Sequence, residues 1–198
     1  EKVDFDGALH ELVPVLGDDV FGTPAKDRLS QEFRAKTKFR EVRSFKSLDS
    51  FQLLAQTVSP HKISALLTPI RDLLQRTDSA KAMKDVDDVF KRLALGLTMN
   101  DRLDSIGLLD LCQSLISQNA NFLRPARVVK KGKRAAPDYH VQLSRNVADD
   151  RDFFAKNAHR FVSFGLDLFN SAFRKSQFDL DSPITIARLE PLVSLVGN

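Results

Sequence analysis

Features that mark secreted, membrane and disulfide-rich proteins are scarce in this chain of 198 residues. Its single cysteine, Cys112, excludes an internal disulfide and suits a reducing compartment. No apolar run approaches the roughly 20 residues that a helix needs to cross a bilayer, so we expect no membrane partner. No signal peptide or initiator methionine opens the chain, and we expect it to be one segment of a larger protein.

Signatures of catalysis are also lacking. The chain contains no Walker-type phosphate loop, no Gly-x-Ser-x-Gly elbow and no His-Glu-x-x-His zinc motif. Its histidines stand far apart, and Asp85, Asp87 and Asp88 have no His, Cys or glycine-rich loop beside them. Paired carboxylates can bind a metal or act as acid and base, but solvated surface is the simpler interpretation here. We therefore predict no enzyme activity, no catalytic residue, no metal, no cofactor and no small-molecule substrate.

The chain does contain one sequence motif that occurs three times: Leu-x-Pro followed by an apolar residue. It occurs at residues 12–15, 67–70 and 189–192, each time inside a helical pattern of apolar positions. A proline inside a helix removes a backbone donor and crowds the carbonyl four residues earlier. A kinked helix that recurs suggests a curved stack of helix pairs, and such stacks form surfaces for partners more often than active sites.

Apolar residues repeat with a helical period along most of the chain, which predicts an all-α protein. We expect the phenylalanine-rich helix at 152–174 to be buried between neighbours, because it is apolar over much of its circumference. The predicted helices cover residues 4–16, 47–58, 61–76, 79–98, 104–118, 152–174 and 183–196, with a further short helix near 25–38.

These helices fit a repeat of paired A and B helices, in which the A helix carries the proline. The predicted order is A, insertion, B, A, B, A, insertion, B, A, which amounts to about three and a half repeats. HEAT-type units run roughly 40 to 47 residues, and an insertion accounts for the longer interval between Pro14 and Pro69. We predict one α-solenoid segment of degenerate HEAT-type helix pairs over residues 1–198. Its insertions, residues 17–46 and 119–151, should emerge on the same edge, because each joins an A helix to its own B helix.

Two stretches resemble a known family. Residues 13–22 read Val-Pro-Val-Leu-Gly-Asp-Asp-Val-Phe-Gly, and residues 40–51 read Arg-Glu-Val-Arg-Ser-Phe-Lys-Ser-Leu-Asp-Ser-Phe. Both look like the U3 small nucleolar RNA-associated protein 20 family, and the resemblance extends from residue 11 to about residue 112. It implies a very large, non-catalytic HEAT-repeat scaffold of the small-subunit processome, the 90S pre-ribosome. It also implies a nucleolar location, a role in pre-rRNA processing, and contacts with other processome proteins and with pre-rRNA or U3 small nucleolar RNA.

Positive charge is concentrated in the two insertions. The whole chain is only +4, whereas residues 17–46 are net +3 and residues 119–151 are net +5. Lysine and arginine neutralise phosphates and release counterions, which gives a salt-sensitive affinity for nucleic acid. The candidate RNA-binding residues are Arg124, Arg127, Lys130, Lys131, Lys133 and Arg134 in the second insertion, and Lys36, Lys38, Arg40 and Arg43 in the first.

The sequence leaves alternatives open for this charge and for the chain as a whole. Both basic clusters are also compatible with solvated loops, and the cluster from Arg34 to Lys46 with a nuclear-import signal. The leading hypothesis is a scaffold segment that holds proteins and pre-rRNA in a ribosome-assembly intermediate. The alternative is a HEAT-repeat adaptor for transport or regulation that binds protein partners only. Salt-dependent RNA binding separates these two hypotheses.

Overall fold

The computed structural model describes residues 5–22, 46–123, 153–175 and 177–196. All regular structure in these ranges is helical and none of it is strand, which confirms the all-α prediction for this part of the chain. The helices are α1 (Leu9–Phe21), α2 (Lys46–Thr57), α3 (Ile63–Arg76), α4 (Ala80–Leu97), α5 (Ser105–Ala120), α6 (Phe154–Asn157), α7 (His159–Arg174) and α8 (Pro183–Val196). Short 3-10 turns follow α2 at Pro60–Lys62 and α5 at Asn121–Leu123. The short helix predicted near 25–38 lies outside the described residues.

The first helix extends further than its sequence suggested. The sequence predicts this helix at 4–16, but α1 continues to Phe21 and closes with the Gly22 amide donating to the Asp18 carbonyl at 2.8 Å. Gly17 is buried inside the helix, and a Cβ there would lie 3.3 Å from the Pro69 Cβ of α3. The glycine therefore permits close helix packing and does not terminate the helix. Residues 17–21, placed at the start of the first insertion from the sequence, are helical.

The phenylalanine-rich helix predicted at 152–174 is divided into two. Ala158 lies in a turn between the four-residue α6 and the longer α7. The division follows the packing, since α6 contacts α3 whereas α7 packs against α5 and α4. As expected, α7 lies between neighbours, although one side of it is open to solvent, where Leu166 and Phe173 are about half exposed.

Four of the five described pairs of helices that are two apart in the repeat order pack on one another, and α3 with α5 is the exception. The A helices α1 and α3 are in contact, as are α5 and α8, and the B helices α2 and α4 form one of the most extensive contacts, followed by α4 with α7. The A helix α5 also packs closely against its own B helix, α7. None of Pro14, Pro69 and Pro191 ends its helix, since each lies inside α1, α3 or α8.

Aromatic side chains join α4 to α7 at the centre of the core. The rings of Phe90 and Phe164 stack with centroids 4.5 Å apart, and Phe161 meets Phe90 edge-on at 5.2 Å. All three side chains are buried, together with Leu93 and Leu168 from the same two helices. The burial expected for the phenylalanine-rich region is confirmed for Phe161 and Phe164.

A second point of close packing lies where α4 crosses α2. A Cβ built on Gly96 of α4 would lie 2.4 Å from the Gln52 carbonyl oxygen and 2.6 Å from the Ala55 Cβ. Such contacts are shorter than van der Waals separation, and the first is with backbone, which cannot rotate away. The two B helices therefore approach as closely as they do only because residue 96 has no side chain.

We expect the Gly96→Ala substitution to destabilise the chain by about 1–3 kcal/mol, because α2 and α4 must move apart and lose packing. The higher helix propensity of alanine, worth about 1 kcal/mol, offsets only part of this cost. Urea denaturation followed by circular dichroism measures the change. The matched control is Gly7→Ala, where the added methyl meets no atom within 4 Å; equal midpoints for the two variants would contradict the packing argument.

Candidate functional site

The ten basic residues proposed from the sequence all lie in ranges 23–45 and 124–152, outside the described residues. We refer to these two ranges as the basic segments. What the structure does show is the residues on either side of each segment and the helices that hold them. Their contacts decide where in the fold each segment is attached.

The first basic segment is flanked by the end of α1 and the start of α2. The Ser47 hydroxyl of α2 donates a hydrogen bond to the Asp19 carboxylate of α1. Phe21 and Gly22 line a groove between α1 and α3, together with Arg76 at the last turn of α3. Both flanks of this segment are thereby held together, and the end of α1 lies beside the C-terminal end of α3.

The second basic segment is flanked by the turn after α5 and by α6. The ring of Phe122 packs edge-on against the ring of Phe154, with centroids 5.4 Å apart. The Phe153 amide donates to the Gln75 carbonyl of α3 at 3.1 Å. Above the Phe154 ring stands the guanidinium of Arg71, with its Cζ 5.0 Å from the ring centroid. The flanks of this segment therefore also meet, and they too lie against the end of α3.

Asn157 fixes α6 to α3. Its side chain is buried, and its Nδ2 donates to the carbonyl oxygens of Leu74 and Thr77 at 3.3 and 3.2 Å. The last four carbonyls of a helix have no partner within the helix, so a donor from elsewhere is needed when they are buried. The preceding residue of α6, Lys156, also forms an ion pair with Asp78, at 2.5 Å. The hydrogen bond from Lys156 is the main cause that lowers the pKa of the exposed Asp78 carboxyl.

The flanks of the two basic segments thus converge on one stretch of α3 and the turn after it. We call residues 71–77 the α3 terminus. At a rise of about 1.5 Å per residue this stretch is only about 9 Å long. The predicted shared edge concerns insertions that lie mostly outside the described residues and stays a prediction, but the described flanks have the arrangement that it requires.

Charge is segregated between the described helices and the rest of the chain. The described ranges hold 14 Lys/Arg and 17 Asp/Glu, a net charge of −3, although the whole chain is +4. The residues outside those ranges therefore carry a net +7. At the α3 terminus itself Arg71 and Arg76 are exposed, with Asp72 between them and the Asp78–Lys156 pair beside them.

The charged cluster on α4 takes part in ion pairs between and within helices. Asp87 pairs with Arg160 of α7 at 2.5 Å, and Asp88 pairs with Lys91 of α4 at 3.1 Å. Burial raises the pKa of the nearby Asp85 carboxyl. In the part of the chain that the structure describes, no three His, Cys, Asp or Glu side chains are grouped so as to hold a metal ion.

Two buried asparagines are the structural residues that sequence reasoning missed. Asn100 donates from its Nδ2 to the carbonyls of Ala55 and Val58, at 2.9 and 2.8 Å, as Asn157 does to Leu74 and Thr77. In each case the amide bridges two carbonyls three residues apart at the C-terminal end of another helix. The only local signal was an asparagine near the end of a helix, and nothing in the sequence indicated which helix it would contact.

Comparison with known proteins settles the family. The family model of the U3 small nucleolar RNA-associated protein 20 domain matches residues 1–116, more than half of the chain. The chain belongs to this family. Resemblance to the U3 small nucleolar RNA-associated protein 20 family was the prediction from the sequence, and the match confirms it.

Relatives of the family also align beyond residue 116. Two of them, from Schizosaccharomyces pombe and Saccharomyces cerevisiae, bear the name U3 small nucleolar RNA-associated protein 20. The first is 24% identical over 193 residues and the second 25% identical over 206 residues, in both cases across 98% of this chain. The chain spans about 7% of the length of the first relative and 8% of the second.

The family member described here shows no helix both long and apolar enough to cross a membrane, as far as its described residues go. Its cysteine, Cys112 of α5, is fully buried among apolar neighbours, and the loss of hydration raises the pKa of the thiol to about 12. A thiol reacts as its thiolate, so this group has almost no reactive form near neutral pH.

We therefore expect Cys112 to resist an aromatic disulfide reagent at pH 8 in the folded chain and to react fully once the chain is unfolded in guanidinium. Burial keeps both the reagent and the charged thiolate away from this position. Absorbance of the released thiol measures the reaction. An exposed cysteine placed at Ser114, on the same helix, is the control; equal rates at positions 112 and 114 in the folded state would contradict the assignment.

Proposed function

We propose that this chain is a non-catalytic scaffold segment that acts in assembly of the small ribosomal subunit. Family membership carries the proposal, because both named relatives are described as associated with U3 small nucleolar RNA. We further propose that the segment contacts U3 small nucleolar RNA or pre-rRNA, together with other proteins of the small-subunit processome, in the nucleolus. In this proposal it supports pre-rRNA processing by holding partners and catalyses no step.

The proposed architecture is an α-solenoid of HEAT-type helix pairs. Its support is the packing of A helices on A helices and of B helices on B helices, which is the order of contacts in stacked repeats. A departure from regular stacking lies between α3 and α5, where α6 occupies the side of α3 and α5 makes no extensive contact with it. Degenerate repeats, as proposed from the sequence, are compatible with such an irregularity.

The proposed RNA contact is made by the basic segments. Its support is the separation of charge, with net negative helices and a net +7 outside them. An RNA backbone is attracted to the segments and repelled by the helical surface, so the charge distribution orients it. The overall charge of the chain conceals this separation.

The alternative, an adaptor for proteins only, is favoured by one observation. Exposed apolar side chains occur on the B helices and just after α4, with Leu53 at 59%, Leu95 at 45% and Met99 at 55% exposure. The amide of Gln56 contacts the Met99 sulfur at 3.6 Å, so the end of α4 and the exposed side of α2 belong to one surface. A protein partner suits this surface better than a polyanion does, and both kinds of contact are compatible with a scaffold.

Replacing Lys130, Lys131, Lys133 and Arg134 by alanine tests the RNA contact in the full-length protein. We expect weaker binding to unrelated RNA sequences and a shallower salt dependence, because each lost phosphate contact removes about 0.7 from the logarithmic slope for a single strand. Four lost contacts therefore lower the slope by about 3. Filter binding over a range of salt concentrations measures both quantities, and circular dichroism checks that helix content is unchanged.

The matched control removes the same charge from the described helices. Lys62, Lys81, Lys84 and Arg174 are all exposed, and their replacement by alanine changes the net charge equally. If RNA affinity and salt slope fall alike in both quadruple variants, the effect is one of net charge only. If neither variant departs from the parent, the second basic segment does not bind RNA and the adaptor becomes the better proposal.

A further inference from the structure

The prolines of the recurring Leu-x-Pro motif leave two backbone carbonyls without their usual donors. Pro14 lies inside α1 and Pro69 inside α3, and proline has no amide N–H to give to the carbonyl four residues earlier. The carbonyls concerned are those of His10 and Ala65. Residues four apart lie on the same face of a helix, so each of these carbonyls is on the face that carries the proline.

Both of these helix faces border one groove. The groove between α1 and α3 has a volume of about 550 Å³, and its lining includes both prolines together with His10 and Ala65. The two helices touch beside it at Gly17, where an added Cβ would lie 3.3 Å from the Pro69 Cβ. Backbone acceptors from two helices, at positions 10 and 65 of the sequence, are therefore brought to the same groove.

Two carboxylates add further acceptors to this groove. Asp18 comes from α1 and Asp72 from α3, and both line it. Among the described residues neither carboxylate takes part in an ion pair or a side-chain hydrogen bond, although Arg76 stands one turn beyond Asp72. The Thr68 hydroxyl already donates to the Ser64 carbonyl at 3.1 Å, so it offers the groove an acceptor as well. The groove therefore presents more hydrogen-bond acceptors than donors.

The apolar part of the lining suits a flat group. Phe21 contributes an aromatic ring that is partly exposed, and the rings of Pro14 and Pro69 add apolar surface beside it. A guanidinium is planar, carries five N–H donors and no acceptor, and stacks on aromatic rings while it donates from its edge. An ammonium group is more strongly hydrated and has no planar face, and a polyanion is repelled by the two carboxylates. The lining thus fits the side chain of arginine better than that of lysine or the backbone of RNA.

We propose that the groove between α1 and α3 is a docking site for an arginine side chain of a partner protein. The guanidinium pairs with Asp18 and Asp72 and donates to the carbonyls that the two prolines leave without helical donors. Residues next to the arginine in the partner pack on the apolar lining. This inference goes beyond the proposed function, because it concerns a protein contact made by described helices and requires no RNA.

The prolines couple the strength of this site to the stability of the helices that form it. A hydrogen bond from an ionised donor is roughly twice as strong as one between neutral groups. A carbonyl that lacks its helical donor gains more from such a bond than a carbonyl that is already paired. Each proline therefore weakens its own helix and strengthens the binding of a cationic donor, so replacing it is expected to change the two properties in opposite directions.

Pro69→Ala in the full-length protein tests this coupling. Alanine restores the amide that pairs with the Ala65 carbonyl, and it keeps the Cβ that lies against Gly17. The probe is a fluorescein-labelled peptide, Ser-Gly-Leu-Arg-Leu-Gly-Ser, whose binding is followed by fluorescence anisotropy. We expect slower amide hydrogen exchange in α3 and an affinity for the peptide that is lower by about tenfold. Because the helix becomes more stable, unfolding cannot explain the loss, and an unchanged affinity would refute the role of the carbonyl.

Matched changes in protein and peptide test the charge and the shape of the site. Asp72→Asn keeps the size of the side chain, and we expect it to weaken peptide binding by about tenfold. The control is Asp167→Asn, which removes an exposed carboxylate from the groove between α4 and α7; that groove, of about 640 Å³, has no proline among its described lining residues. Peptides with citrulline or lysine in place of arginine should bind more weakly than the arginine peptide. Equal losses in the two asparagine variants, or equal affinity for the lysine peptide, would overturn the proposal.

The outcomes separate this inference from the proposed function. A parent protein that does not bind the arginine peptide contradicts the inference, whether another part of the polypeptide fills the groove or the groove takes no arginine. Peptide binding is measured without RNA, and the variants that test the RNA contact leave α1 and α3 unchanged. A negative result for the peptide therefore leaves the proposed RNA contact standing, and a negative result for RNA leaves this docking site standing.

Discussion

Backbone carbonyls at the C-terminal ends of α2 and α3, and of the residues just after them, lack hydrogen-bond donors within their own helices. Their need for donors from elsewhere in the chain is the constraint on which the rest of this structure depends. Each helix end is covered by another part of the chain, so water does not fully satisfy those carbonyls. Asn100 and Asn157 supply the donors, in the same geometry, from the end of α4 and from α6. Because each asparagine reaches a helix far away in sequence, satisfying a backbone group also fixes how consecutive helix pairs sit on one another.

Packing between the pairs is close where side chains are small or flat. Gly17 and Gly96 let α1 approach α3 and α4 approach α2, and the stacked rings of Phe90 and Phe164 join α4 to α7. Interiors of this density tolerate added volume poorly. Added volume at these positions is therefore expected to disturb how the helices pack.

Charge is divided unevenly between the described helices and the rest of the chain. The described helices are net negative, while the residues outside them carry enough lysine and arginine to make the chain basic. The chain thus combines a net negative helical frame with basic segments whose described flanks meet at one helix end. It does so in a family named for its association with U3 small nucleolar RNA.

Much of this description was accessible from the sequence alone. The 3.6-residue period located the helices now seen as α2, α3, α4, α5 and α8 to within about two residues, because an amphipathic pattern is local and each buried position repeats along one face. The charge clusters and the family resemblance could also be identified from the sequence, because both depend only on the order of the residues.

Tertiary structure decided the rest, for reasons that lie in distant contacts. The sequence predicted that the first helix ends at residue 16, whereas α1 continues to Phe21 with Gly17 buried inside it against Pro69. The donor role of Asn157 depends on carbonyls about 80 residues earlier, at Leu74 and Thr77. Hydrogen bonds across such separations leave no periodic mark in a sequence, because they are set by which helices pack together. For that reason the sequence alone determined that this protein has helices and basic segments, and only the tertiary structure decided that the flanks of those segments meet at the end of α3.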